Sequence, residues 1–151
     1  MIHVDIFTEG KIFLPFNGIA QDLFSEIIEK TLIQCNTGNV AVSVILTDNE
    51  TIREINSKFL GKNKPTDVLS FAYREEPFPQ SEDILEELGD IYISLEKAIE
   101  QSAEYGVPLK DELLRLIVHG VLHLLGYDHE RSAADEKEMS TLEEKILKYL
   151  R

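Results

Sequence analysis

The spacing of hydrophobic residues along the chain predicts five α-helices. They cover about residues 16–34, 49–60, 95–105, 109–125 and 133–150. The second helix has the clearest ends, because Asp48 is a typical N-cap and Gly61 a typical stop. Its predicted inner face consists of Ile52, Ile55 and Phe59.

Alternating or continuous runs of β-branched residues predict four strands, at residues 3–7, 40–46, 68–73 and 90–93. Pro77 and Pro79, together with an acidic run, place a loop between the last two strands. The order β, α, β, α, β, β, α, α, α is typical of an α+β fold with a mixed four-stranded sheet. No linker or internal repeat divides the chain, so residues 1–151 are predicted to form a single domain.

The fourth predicted helix is apolar on almost every side and is therefore expected to be buried. It nevertheless carries His119 and His123, which are four residues apart and so share one face. Two imidazoles at that spacing can bind one metal ion at about 2.0–2.1 Å. Gly126 can end the helix and turn the chain, which would bring in His129 as a third ligand. Three nitrogen ligands leave one tetrahedral position for water, the arrangement of a catalytic zinc site, so one Zn²⁺ per chain is expected.

The spacing of these histidines equals that of one class of zinc proteases, H-E-x-x-H-x-x-G-x-x-H. In those enzymes a glutamate follows the first histidine and serves as the general base, whereas this chain has Gly120 there. The pattern therefore argues against a peptidase, and Gly120 would instead permit close approach of a substrate or a backbone to the metal. Asp128 either orients a ligand imidazole, acts as a weak base, or is an ordinary turn aspartate. Beyond the metal-bound water and the candidate Asp128, the pattern identifies no catalytic group.

Charge and cysteine content narrow the possible functions. The chain has 28 acidic and 15 basic residues and a net charge of −13, which disfavours general binding of nucleic acid. One stretch, residues 51–74, departs from this with five basic and two acidic residues. A lone cysteine, Cys35, and the absence of a signal-like leader lead us to expect a cytoplasmic protein. No stretch is long and apolar enough to span a bilayer, so no membrane partner is expected.

Three segments together resemble the YbeY family, the bacterial endoribonucleases of ribosomal RNA maturation. They read HGVLHLLGYDH at residues 119–129, GKNKPTDVLSF at residues 61–71 and LGDIYIS at residues 88–94. The resemblance implies an α+β fold with one zinc on His119, His123 and His129. It also implies cleavage of single-stranded RNA, with roles in 3′-end maturation of 16S ribosomal RNA and in ribosome quality control. The implied partners are ribosomal RNA and the small ribosomal subunit, in the cytoplasm; the oligomeric state is not indicated.

The resemblance also bears on the RNA-binding residues. In that family the strand after Pro65 borders the metal cleft, so Thr66, Asp67 and Ser70 become cleft candidates, with turn and strand capping as the alternative role. The family usually has an arginine, held to contact phosphate, where this chain has Leu60.

Lys58, Lys62 and Lys64 are therefore hypothesised to form a phosphate-binding edge in its place. Two rival functions stay open at this point. One is a metal-dependent peptidase or other hydrolase, and the other is a ribosome-assembly binding protein whose metal is structural.

Overall fold

A computed structural model describes residues 1–75, 85–128 and 130–151 of the chain. Its strands are β1 (Ile2–Thr8), β2 (Val40–Thr47), β3 (Val68–Ala72) and β4 (Glu86–Ser94). Its helices are α1 (Gln21–Gln34), α2 (Asn49–Leu60), α3 (Leu95–Tyr105), α4 (Leu109–Leu124) and α5 (Ala133–Leu150). The order of elements confirms the prediction. The predicted loop at Pro77 and Pro79 lies outside the described residues.

The four strands form one mixed sheet in the order β1-β2-β4-β3. The first three run parallel, while β3 runs antiparallel to β4. Alternate residues of β2 and β4 point into one core against α1, α3 and α4. The core side chains of these two strands include Val42, Val44, Leu46, Ile91 and Ile93. This arrangement confirms the α+β class and the mixed four-stranded sheet.

Helix α4 lies at the centre of the packing, as its apolar sequence predicts. Ile117, Val118 and Val121 are fully buried, and the helix contacts α1, α3, α5, β3 and β4. Helix α4 therefore presents its histidines from a rigid position against the sheet. Among the described residues, no helix is long and apolar enough to cross a lipid bilayer.

Two predicted boundaries are wrong. Helix α1 begins at Gln21 rather than near residue 16, because Asn17 and Gly18 have positive φ angles of 47° and 79°. Phe16 and Ile19 instead exchange two backbone hydrogen bonds of 2.9 Å. Strand β4 begins at Glu86 rather than Asp90, because the parallel partner β2 pairs with it from Val40 onward.

The end of α2 also differs from the prediction. Asp48 caps the helix by accepting from the Thr51 N–H, and Gly61 ends it with a φ of 69°, as expected. Phe59, however, is 60% exposed, because α2 buries its side chains earlier, at Ile52 and Asn56. The last turn of α2 therefore carries an aromatic ring that faces solvent.

Candidate functional site

His119 and His123 lie together on the exposed side of α4, as their four-residue spacing predicts. Their Nε2 atoms are 3.0 Å apart, and their rings are nearly perpendicular, with centroids separated by 4.5 Å. Two imidazole lone pairs at that distance repel each other unless a proton or a cation lies between them. One neutral imidazole can supply that proton through an N–H···N hydrogen bond, and a metal ion bound by both nitrogens can take its place.

A carboxylate on α5 fixes the tautomer of His119. An Oε1 of Glu143 lies 2.6 Å from His119 Nδ1, so Nδ1 carries the proton and donates it to the carboxylate. The Nε2 of His119 then keeps its lone pair toward His123. Imidazoles that bind zinc are commonly held by a carboxylate on the other nitrogen, so this donor set fits a zinc ion.

Glu143 was not predicted from the sequence. One signal was present, since Glu143 lies four residues after Met139 and three before Ile146, both of which are buried on the inner face of α5.

The predicted third ligand, His129, lies outside the described residues. Over the ranges that are described, no group of three or more potential metal ligands converges. Asp128, the residue before His129, accepts a hydrogen bond of 2.8 Å from the backbone N–H of Glu130. That contact is the one a turn aspartate makes. A role for Asp128 in catalysis stays a prediction.

Gly120 is packed against the sheet. A Cβ atom at this position would lie 3.0 Å from Cγ2 of Ile91 and 3.2 Å from Oγ of Ser70. The Ser70 hydroxyl also lies 3.4 Å from the Gly120 carbonyl oxygen, to which it donates. The group that approaches Gly120 closely is thus the sheet. A larger side chain here would require Ile91 and Ser70 to shift, and the chain lacks the glutamate that a peptidase uses as its general base at this position.

A cleft of about 750 Å³ opens beside the histidine pair. Most of the residues predicted to bind substrate line it, along with Asp128 and the unusual Leu60. These predicted residues are Lys62, Lys64, Thr66 and Ser70. Lys58 is not among the lining residues; its Nζ lies 5.3 Å from the centre of the neighbouring Phe59 ring. The structure thus brings four of the five residues predicted to bind substrate beside the histidines, together with the cleft candidate Asp67.

The segment carrying Lys62 and Lys64, here called the lysine loop (residues 61–65), is held by one buried side chain. Asn56 of α2 is 2% exposed and donates through Nδ2 to the Lys64 carbonyl oxygen at 2.9 Å. Its own backbone oxygen accepts from the Lys62 N–H at 3.3 Å. A buried amide must find partners, and the lysine loop supplies them.

Asp67 is an anchor between elements. Its carboxylate accepts from the Val68 N–H at 2.8 Å and from Gln101 Nε2 at 3.2 Å, and it lies 3.5 Å from the Arg115 guanidinium. Arg115 also donates to the buried Glu112, which raises the pKa of the arginine above its usual value. Thr66 lies 3.4 Å from the same carboxylate. The contacts of Asp67 are therefore those of capping and of tying β3 to α3 and α4.

Comparison with known proteins gives the family. The family model for endoribonuclease YbeY matches residues 15–151. The chain belongs to the YbeY family. A YbeY endoribonuclease of Persephonella marina is 46% identical over 133 residues, which are 88% of this chain and 85% of that protein. Another, from a Sulfurihydrogenibium species, is 50% identical over 85% of this chain and 82% of that protein.

A solved structure supports the same assignment. The solution structure of a Thermotoga maritima protein superposes with a TM-score of 0.62 at 33% sequence identity. The match covers 95% of this chain and 86% of that one.

Membership in the YbeY family makes this chain an endoribonuclease, a hydrolase of RNA.

Two residues give this YbeY cleft its own character. Leu60 stands where the family resemblance leads one to expect an arginine, and it lines the cleft with 51% of its surface exposed. Lys97, near the start of α3, also lines the cleft and was not predicted. Its Nζ lies 3.5 Å from Glu100 on the same helix. No pattern in the sequence marks Lys97, because only the packing of α3 against α4 and the sheet brings it to the cleft.

Proposed function

We propose that this protein is a zinc-dependent, single-strand-specific endoribonuclease that acts in 3′-end maturation of 16S ribosomal RNA and in ribosome quality control. Family membership supports the endonuclease activity. The observation that carries the metal dependence is the pair of Nε2 atoms 3.0 Å apart beside a cleft lined with lysines. The spacing in the sequence supports His129 as the third ligand.

Each group has a separate task in this proposal. His119 and His123, with His129, hold the ion, and Glu143 keeps the Nε2 of His119 free of a proton. Bound zinc supplies acidity to a water molecule and positive charge for a phosphate oxygen. Lys62 and Lys64 attract the RNA backbone into the cleft, and they do so as point charges without the forked geometry of an arginine.

The nucleophile in this proposal is water. Attack by the 2′-hydroxyl of the RNA would require a general base at that oxygen. Asp67 already accepts hydrogen bonds from Val68 and Gln101 beside Arg115, and Asp128 accepts one from the Glu130 N–H. We therefore assign neither carboxylate the role of base for a 2′-hydroxyl.

Ribosomal RNA and the small ribosomal subunit are the proposed partners, and the cytoplasm is the proposed location. Because the chain carries a net charge of −13, RNA must meet it through a local basic surface. The lysine loop and Lys97 provide such a surface beside the histidines.

Elemental analysis combined with a cleavage assay tests the proposal. We expect about one zinc per chain in the wild type, and its loss in His119→Ala and His123→Ala. The control variant His3→Ala should retain the zinc, because His3 is an exposed residue of β1. Loss of the metal should also lower thermal stability, since an ion that binds only the folded state stabilises it. Labelled unpaired RNA should be cut in a chelator-sensitive way, and casein should not.

Three outcomes would contradict parts of this proposal. Unchanged zinc in both α4 variants would remove the site. Proteolysis that disappears in His123→Ala would favour the metal-dependent peptidase. Intact RNA in the presence of a tightly held zinc would favour an assembly factor with a structural metal.

A further inference from the structure

The end of α2 exposes two consecutive large apolar residues, Phe59 at 60% and Leu60 at 51%. Contiguous exposed apolar surface is a feature of binding sites, and these two neighbours supply such surface at one point of the fold. Leu60 faces the histidine cleft, whereas Phe59 is absent from the lining residues and so lies just outside the edge of the cleft. The mechanism assigned to the cleft makes no use of Phe59.

The Phe59 ring is supported from behind. Its centroid lies 5.6 Å from that of Phe71 in an edge-on arrangement, and Phe71 meets Tyr92 in the same way at 5.8 Å. Edge-on contacts of this kind hold a ring in place, and 60% of the Phe59 surface still faces solvent. Phe59 is thus a positioned platform for a flat apolar group.

The charge around this ring favours a polyanion. Residues 57–64 contain three lysines and no carboxylate, in a chain whose net charge is −13. The Nζ of Lys58 lies 5.3 Å from the centre of the Phe59 ring. An aromatic face beside lysines is the combination with which proteins bind single-stranded nucleic acid, because the ring stacks on a base while the cations meet the phosphates. A protein partner would need a flat apolar group beside an acidic surface.

We propose that Phe59 and Lys58 form a stacking subsite for an unpaired base of the RNA substrate, just outside the edge of the histidine cleft. The inference rests on the proposed ribonuclease function and extends the bound strand beyond the cleft. The RNA backbone passes from the cleft across Leu60, and one base stacks on Phe59. Lys58, whose Nζ lies over the ring in the free protein, moves aside to contact the adjacent phosphate. This subsite favours the binding of unpaired RNA, since a base within a duplex cannot lie flat on the ring.

The chain contains no tryptophan, so a single introduced tryptophan reports on its own position. We would compare Phe59→Trp with Tyr149→Trp by rapid mixing of the metal-loaded protein with single-stranded RNA, before cleavage proceeds. The two sites are matched, because each is the penultimate residue of a helix, with 60% and 63% exposure. Quenching at position 59 that saturates with RNA, and none at position 149, is the expected result.

Affinity measurements separate stacking from simple apolar contact. Phe59→Ala and Phe59→Leu should each weaken RNA binding at least about fivefold, whereas Phe59→Tyr should bind like the wild type. Thermal unfolding of each variant checks that the fold is intact. If the wild type binds and cuts RNA while position 59 stays unquenched and Phe59→Ala binds normally, the subsite is wrong, the ribonuclease function stands, and the exposed ring is left for a protein partner. If RNA is neither bound nor cut, the proposed function itself fails.

Discussion

Glu143 of α5 lies 2.6 Å from Nδ1 of His119 on α4 and determines which nitrogen of that imidazole carries the proton. The last helix therefore takes part in the site although none of its residues is a proposed metal ligand. The contact links the affinity for metal to the docking of α5 on α4.

The first prediction concerns the loss of the Glu143 carboxylate. Glu143→Ala should weaken zinc binding about 10- to 100-fold, because His119 loses the partner that fixes its tautomer and orientation. Glu143→Gln should weaken it less, since an amide oxygen still accepts from Nδ1. Competition with a chromogenic chelator measures the affinity, and Glu144→Ala, an exposed neighbour, is the control. Equal affinities in all four proteins would contradict this role.

The second prediction concerns the lysine loop. Each phosphate contact to single-stranded RNA contributes about 0.7 to the slope of log affinity against log salt concentration. Replacing Lys62 and Lys64 with glutamine should therefore weaken binding and reduce the slope by about 1.4. Lys145 and Lys148, exposed on α5, give the control pair for the same loss of charge. An unchanged slope in the loop variant would mean that RNA binds elsewhere.

The third prediction concerns position 60, where the family usually has an arginine and this chain has a leucine. Because Leu60 lines the cleft and is 51% exposed, Leu60→Arg can reach substrate without disturbing the core. We expect the rate of cleavage to rise about tenfold. This factor corresponds to the lower end of the free energy that a hydrogen bond to a charged group contributes. Ile33→Arg, on the exposed surface of α1, adds the same charge away from the cleft and should have no effect. A similar rise in both variants would point to bulk charge rather than to a phosphate contact.

The fourth prediction is a pH dependence at the cap of α2. Burial disfavours the Asp48 carboxylate, but hydrogen bonds from the N–H groups of Lys11 and Thr51, each 2.8 Å long, outweigh it and hold the pKa below the ordinary value of 3.8. Because the folded pKa is the lower one, the stabilisation is complete above the unfolded pKa and is lost as the pH falls through the folded pKa.

Asp48→Asn should therefore lower the free energy of unfolding by about 1–2 kcal/mol at pH 7, since one amide oxygen replaces two charged acceptors. The difference from the wild type should shrink as the pH falls below 3.8. Urea unfolding of both proteins across that range measures it. A difference that stays constant with pH would show that the charge of Asp48 does not stabilise the fold.

Local signals predicted most of the architecture. Asp48 and Gly61 delimit α2 through their own chemistry, and the histidine spacing places both rings on one side of α4 because helical geometry is fixed. The start of α1 was missed because apolar spacing continues through Asn17 and Gly18, whose positive φ angles exclude a helix. Periodicity also assigned Phe59 to an inner face, although 60% of its surface is exposed at the end of α2.

The residues of the site that were missed all act across the fold. Glu143 reaches His119 over 24 positions, and Lys97 reaches the cleft only because α3 packs against α4 and the sheet. In the sequence Asn56 is an ordinary helical residue, and only the folded structure shows its hydrogen bond to the lysine loop. These contacts depend on how the elements pack, which spacing along one chain does not encode.

The two hydrogen bonds between Asn56 and the lysine loop, one donated and one accepted by Asn56, make the cleft a preformed receptor. Because the backbone at Lys62 and Lys64 is already fixed in the free protein, RNA binding does not have to order it. The loss of chain entropy occurs once, during folding, and is not repeated at each encounter with substrate. Only the lysine side chains remain to be immobilised, so a moderate positive charge can hold a polyanion to a strongly acidic protein.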